Sequence, residues 1–147
     1  MADNISKGRF GEQAAADLLV SKGYRILERN WYTEFDEIDL IAENGVFIVF
    51  AEVKARRNDE SSLQYGRPAS AVGKKKKDSV AFAAKEYLFS HKTDLQPRFD
   101  VIEIYFSTIK DVGGETWYCV DRAEHIENAF SASSRVRYGS KDRRLLQ

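Results

Sequence analysis

Hydrophobic positions along this chain follow two spacings, and the points where one gives way to the other mark out its elements. Phe10, Ala14 and Leu18 recur every fourth residue with Ala15 and Leu19 beside them, and Gly23 follows as a stop, which predicts a first helix. Residues 24–31 hold Ile26 and Leu27 without helical spacing and read as a first strand. Residues 37–41 alternate acidic and apolar, Asn44-Gly45 is a tight-turn signal, and residues 46–50 are an unbroken apolar run suited to a central strand. A hairpin of strands two and three is the expected result. Residues 55–67, polar and charged, read as a surface loop, and Pro68 suits the first turn of a second helix. Along that helix Val72, Lys76, Val80, Ala84 and Leu88 keep one stripe, which places a lysine among apolar side chains. Residues 99–106, β-branched and aromatic, predict a fourth strand. Gly113-Gly114 marks a turn, residues 116–120 a fifth strand, and residues 123–130 a short helix with Ile126 and Phe130 on one side.

Helix, three strands, helix and strand, in that order, predict an α/β fold: a mixed β-sheet with flanking helices, extended by a C-terminal strand and short helix. Strands two and three are joined by a tight turn and must be antiparallel, whereas the helix after strand three permits a parallel crossover to strand four. The length of 147 residues suits one domain, placed over residues 1–130. Residues 131–147 carry five basic residues against one aspartate and read as a basic, flexible tail.

The hairpin concentrates the chemistry. With Asn44-Gly45 as the turn, Glu37 lies opposite Glu52 and Asp39 opposite Phe50, and Lys54 joins the same face, while Ile38, Leu40, Ala51 and Val53 point to the other. Like charges set directly across a strand pair repel, so three acids beside one lysine call for a bound cation, a raised pKa or a bulge. A hard divalent metal, Mg²⁺ or Mn²⁺, answers that need. Asp39 and Glu52 can supply oxygen ligands and the Val53 carbonyl a further one, with waters completing the shell. Lys54 can orient an attacking water or neutralise charge on a phosphate, and Glu12 on the first helix can hold a metal-bound water. Glu37 is a weaker candidate. His91 and His125 stand isolated and receive no catalytic part, and Arg98 and Asp100 are expected to fix the fourth strand.

Charge and composition narrow the partners. The formal net charge is zero, so a role with nucleic acid must rest on local patches. Such a patch exists: between Lys54 and Lys85 nine basic residues stand against three acidic ones. Arg56, Arg57 and Lys76 are its candidate phosphate contacts. A single cysteine, Cys119, excludes an internal disulfide or a cysteine-rich zinc site. No apolar run approaches the ~20 residues of a membrane span, and the polar start lacks a signal-peptide core, so a cytoplasmic setting is expected.

Asp39 followed by Glu52-Val53-Lys54 resembles the signature of the PD-(D/E)xK, or restriction-endonuclease-like, nuclease superfamily. More of the chain is similar to the YraN-like family of small bacterial proteins. Its motifs appear in order as Gly8-x-x-Gly11-Glu12, Gly23-Tyr24, Asn30, residues 37–41, Phe50-x-Glu52-Val53-Lys54-x-Arg56 and residues 98–101. That family resembles the archaeal Holliday-junction resolvases, which implies branched DNA as substrate, a homodimer to supply two active sites, and nuclease positions at Glu12, Asp39, Glu52 and Lys54. Lys76 falls on the family's basic residue in helix two. Asp36 stands where a glycine would be expected and Ala51 where a larger apolar residue would. A DNA-binding module of the same fold without hydrolysis is the alternative, and a protein-interaction scaffold is a third reading.

Overall fold

The computed structural model describes residues 7–34, 36–58 and 72–131. Its elements are α1 (Lys7–Ser21), β1 (Arg25–Tyr32), β2 (Glu37–Glu43), β3 (Phe47–Arg57), α2 (Lys74–Ser90), β4 (Gln96–Lys110) and β5 (Thr116–Phe130). The five strands form one sheet in the order β1-β2-β3-β4-β5. All neighbours are antiparallel except β3 and β4, which run parallel because α2 carries the chain back between them. This mixed sheet with two helices is the restriction-endonuclease-like arrangement expected from the sequence. The basic tail beyond Ser131, Pro68 and most of the anticipated loop lie outside the described residues.

Each helix seals one face of the sheet. Ala15, Ala16 and Leu19 of α1 pack with Leu40, Ala42, Val49, Ala51, Ile102 and Ile104. The opposite face carries Ile38, Ile41, Ile48, Phe50 and Phe99 beneath Val80, Ala83, Ala84 and Tyr87 of α2. The deepest line of α1 runs through Gly11, Ala15 and Leu19 rather than Phe10, Ala14 and Leu18, which flank it. A Cβ at Gly11 would lie 2.7 Å from the Ala55 Cβ, so only glycine lets α1 approach β3 this closely. The helix then ends as its sequence predicts. Gly23 adopts φ +93°, and the N–H groups of Gly23 and Tyr24 donate to the carbonyls of Val20 and Leu19 at 3.0 Å. This is a Schellman closure.

Three expectations are corrected. Residues 123–130 are not a helix: they continue β5, pairing Val101 with Ile126 and Phe99 with Phe130. A four-residue spacing fits either a helix turn or two strand repeats, and the long exposed edge of β4 decided for the strand. β3 runs through Arg57, so Ala55, Arg56 and Arg57 belong to the sheet rather than to a loop. α2 starts at Lys74 with Gly73 as its N-cap, later than Pro68 implied.

β5 is held to β4 by a buried polar network. Arg98 donates to both carboxylate oxygens of Asp100, at 2.9 and 2.7 Å, and to the Tyr24 hydroxyl at 2.6 Å. His125, with a side chain only 2% exposed, meets Asp100 at 2.6 Å, and the Asn128 N–H donates to the same carboxylate. Arg98 and Asp100 therefore do fix the fourth strand. His125 is not isolated but is part of that lock.

Candidate functional site

The site lies where β2 and β3 part. Gly45, at φ +92°, and Val46 form the turn, because the Asn44 side chain accepts the N–H groups of Val46 and Phe47 and the Asn44 N–H donates to the Phe47 carbonyl. The register is two residues away from the one expected of an Asn44-Gly45 turn: Ile41 faces Phe50 and Leu40 faces Ala51. Continued by one step, this register sets Asp39 against Glu52. The ladder ends there. The Asp39 carboxylate instead accepts the Val53 N–H at 2.8 Å, taking the place of a backbone partner.

A change of face at this point separates the acids. Leu40 packs on the α1 side whereas Ile38 packs on the α2 side, and on β1 Asn30 adopts φ +51° between Arg29 and Trp31. The expected sharing of one side by Ile38 and Leu40 is thus overturned, and Asn30 holds a left-handed conformation that asparagine adopts more readily than most residues. Glu37 consequently turns toward α1, beside Tyr32, and does not oppose Glu52. A cleft of about 600 Å³ on that side is lined by Glu12, Gln13, Arg29, Asn30, Tyr32 and Glu37. Glu52 remains on the α2 side. Asp39 sits between the two sets of acids.

The electrostatics follow from this crowding. Burial pushes the Asp39 carboxyl up to about 7, opposed by the Val53 N–H and reinforced by the charges of Glu52, Glu12 and Glu37. Burial also raises Glu52, against the pull of Lys76 and Lys54. Lys76 reaches in from the first turn of α2, with Nζ 3.0 Å from Asp36 Oδ1 and 3.7 Å from Glu52 Oε1. Burial disfavours its ammonium, but the bond to Asp36 and the charges of Glu52, Asp36 and Asp39 hold its pKa above the ordinary lysine value. Asp36, which the sequence marked only as a departure from glycine, is therefore a member of the site.

Among the described residues no three carboxylate, histidine or cysteine side chains form a ready metal cage. Mg²⁺ and its analogues need less than that, since one or two carboxylates with retained waters suffice. Asp39 and Glu52 fit the requirement in kind: oxygen donors, partly buried, whose raised pKa values mark groups that gain from a divalent cation.

The remaining candidates divide. Lys54 and Arg56 alternate with Glu52 on the α2 side. Arg56 Nε donates to the buried Glu103 at 3.0 Å. Arg57 points the other way, over the Phe106 ring and onto Thr108 Oγ1 at 3.0 Å, so the structure does not bring it to the cluster. Glu103, 1% exposed, escaped the sequence reading because one acid inside a long strand looks like ordinary alternation. Its signal was its place in an otherwise apolar run from Phe99 to Phe106 that also holds Asp100.

Residues 11–104 match the model of a family described as "Uncharacterised protein family UPF0102". The chain belongs to this family. A UPF0102 protein of Thermodesulfovibrio yellowstonii is 40% identical over 126 residues, covering 86% of this chain and 96% of that protein. One from Flavobacterium psychrophilum is 40% identical over 130 residues, 88% and 98% of the two chains. One from Syntrophus aciditrophicus is 44% identical over 105 residues, 71% and 80%. The span matched to UPF0102 contains Glu12, Asp36, Asp39, Glu52, Lys54, Arg56, Lys76 and Glu103, the whole of the site described above, whereas Arg122 and His125 on β5 lie beyond it. No helix among the described residues is long and apolar enough to cross a membrane.

Proposed function

We propose that this protein is a metal-dependent DNA endonuclease, with branched DNA of the recombination or repair type as its substrate class. The observation that carries the reading is the end of the β2–β3 ladder, where the Asp39 carboxylate takes the Val53 N–H and Glu52 and Lys76 close on the same point. Asp39 and Glu52, with the Val53 carbonyl, would hold Mg²⁺ or Mn²⁺. Bound there, the ion would polarise the scissile phosphate and lower the pKa of a water. Lys54 orients that water and offsets the charge that develops on the phosphate. Lys76 exchanges its ion pair with Asp36 for a phosphate oxygen, and Arg56 binds a neighbouring phosphate. Glu12 acts from the α1 side through its charge on Asp39. Cutting both arms of a junction would take two such sites, hence a homodimer. Branched DNA as substrate rests on analogy of fold.

The test is incubation of branched and single-stranded DNA with Mg²⁺ or Mn²⁺, comparing the wild type with Glu52→Ala. Cleavage by the wild type alone supports the reading, and equal cleavage by both, or none by either, sinks it. One observation favours a second reading, a DNA-binding module without hydrolysis: Lys76 pairs with Glu52, one of the two carboxylates a metal would need, as well as with Asp36. That module would bind DNA in EDTA, weaken in salt, and be indifferent to Glu52→Ala.

A further inference from the structure

Beyond Glu52, the α2 side of the sheet carries a second constructed cluster. The strand registers align Arg56 of β3 with Tyr105 of β4, and Tyr105 with Arg122 of β5, so two arginines flank one tyrosine across three strands. Beneath them is Glu103, 1% exposed, which accepts Arg56 Nε at 3.0 Å on one oxygen and the Tyr105 hydroxyl on the other. The Arg122 guanidinium lies over the Tyr105 ring, 3.8 Å from its centroid, and pairs with Glu124. The outer members are open to solvent: the Arg56 side chain is 30% exposed and that of Arg122 51%.

A buried carboxylate contributes little net stability over an apolar residue of the same size, because desolvation offsets the ion pair. What Glu103 does provide is direction. With Nε committed to Glu103, the terminal amino groups of Arg56 keep their donors, and the Tyr105 ring fixes Arg122 by cation–π contact. Two pre-oriented guanidinium groups about two strand spacings apart, ~10 Å, suit two phosphates better than one, with Arg122 exchanging its exposed pair with Glu124 for a phosphate oxygen. From Glu52 to Arg56 is four residues of continuous strand, ~13 Å, comparable with the ~12 Å width of a DNA major groove.

We propose that Arg56 and Arg122, anchored by Glu103 and Tyr105, form a phosphate-binding subsite that holds the nucleic-acid backbone away from the point of cleavage, with Glu103 as a positioning residue. The proposal rests on the DNA reading above. It adds β5, which lies outside the span matched to the family, to the binding surface.

The experiment is fluorescence anisotropy with a labelled branched DNA, in EDTA and again with Ca²⁺ in place of Mg²⁺, read as the slope of log affinity against log salt. Arg56→Ala and Arg122→Ala each remove about one from that slope and weaken binding several-fold. Glu103→Gln matches Arg56→Ala, the pair Arg56→Ala plus Glu103→Gln is no weaker than Arg56→Ala alone, and the Arg56 Nε–H resonance moves in Glu103→Gln. Arg122→Ala changes an exposed side chain, so it carries the test even if Glu103→Gln fails to fold. A wild type that binds, beside an Arg122→Ala variant of unchanged slope, overturns the subsite alone. An equal loss from Arg25→Ala, on the far strand β1, also overturns it, because the effect would then be one of net charge. A wild type with no DNA affinity in either condition overturns the functional reading and the subsite with it.

Discussion

Replacing Asp39 by asparagine should make the metal-free protein more stable above neutral pH. The folded-state pKa of Asp39 is raised from 3.8 to about 7, chiefly by burial and by the charges of Glu52, Glu12 and Glu37. Between those values the native state holds a proton that the unfolded chain has released, so stability from this group is complete below about pH 4 and is lost as pH rises through about 7. At about 1.36 kcal/mol per tenfold change in acidity, the loss is roughly 4 kcal/mol at most. Against a typical total of about 5–15 kcal/mol this is large. Asparagine keeps a carbonyl oxygen for the Val53 N–H and has no charge to lose. Urea unfolding in EDTA from pH 4 to 9 should therefore give coincident stabilities at the acid end and a gap that opens in favour of Asp39→Asn as pH rises. Mg²⁺ or Mn²⁺ should narrow the gap by stabilising the wild-type carboxylate. Parallel profiles for the two proteins would refute the claim that Asp39 sits desolvated among acids.

Other predictions concern the frame that holds the cluster. Gly11→Ala would ordinarily stabilise a helix by about 1 kcal/mol, but here the new methyl meets Ala55 at 2.7 Å, and the ~1–3 kcal/mol of overpacking should win. A lower Tm is expected, and a higher one would contradict the close approach of α1 to β3. Asp100→Ala strands Arg98 and His125 in the interior and should cost about 3–5 kcal/mol by chemical denaturation. At Asn30, φ +51°, a valine should cost about 1–2 kcal/mol while glycine is tolerated, which melting of the two variants would check.

Much of the fold was legible because local periodicity and tertiary burial agree. The helices, the hairpin and the parallel crossover all follow from apolar spacing and punctuation by Gly and Asn. Residues 123–130 were misread because Ile126 and Phe130 satisfy both periods, and the choice was made by a partner strand far away in sequence. At the site, Asp39 and Glu52 were legible as charges where apolar runs lead into them, and Lys76 as a lysine on an apolar helical stripe. The division of the acids between the two faces was not, since it depends on where Ile38 and Leu40 find their packing partners, one beneath α2 and the other beneath α1. Asp36 and Glu103 gain their meaning only from Lys76 and Arg56, 40 and 47 residues away along the chain.

The central claim is that Asp39 and Glu52 form one divalent-metal site, and crystals soaked in Mn²⁺ test it most directly. An anomalous peak within coordination distance of both carboxylates, absent from Glu52→Ala crystals, is the predicted result. A wild-type map with no peak there at saturating Mn²⁺, or with one unaffected by Glu52→Ala, would contradict it.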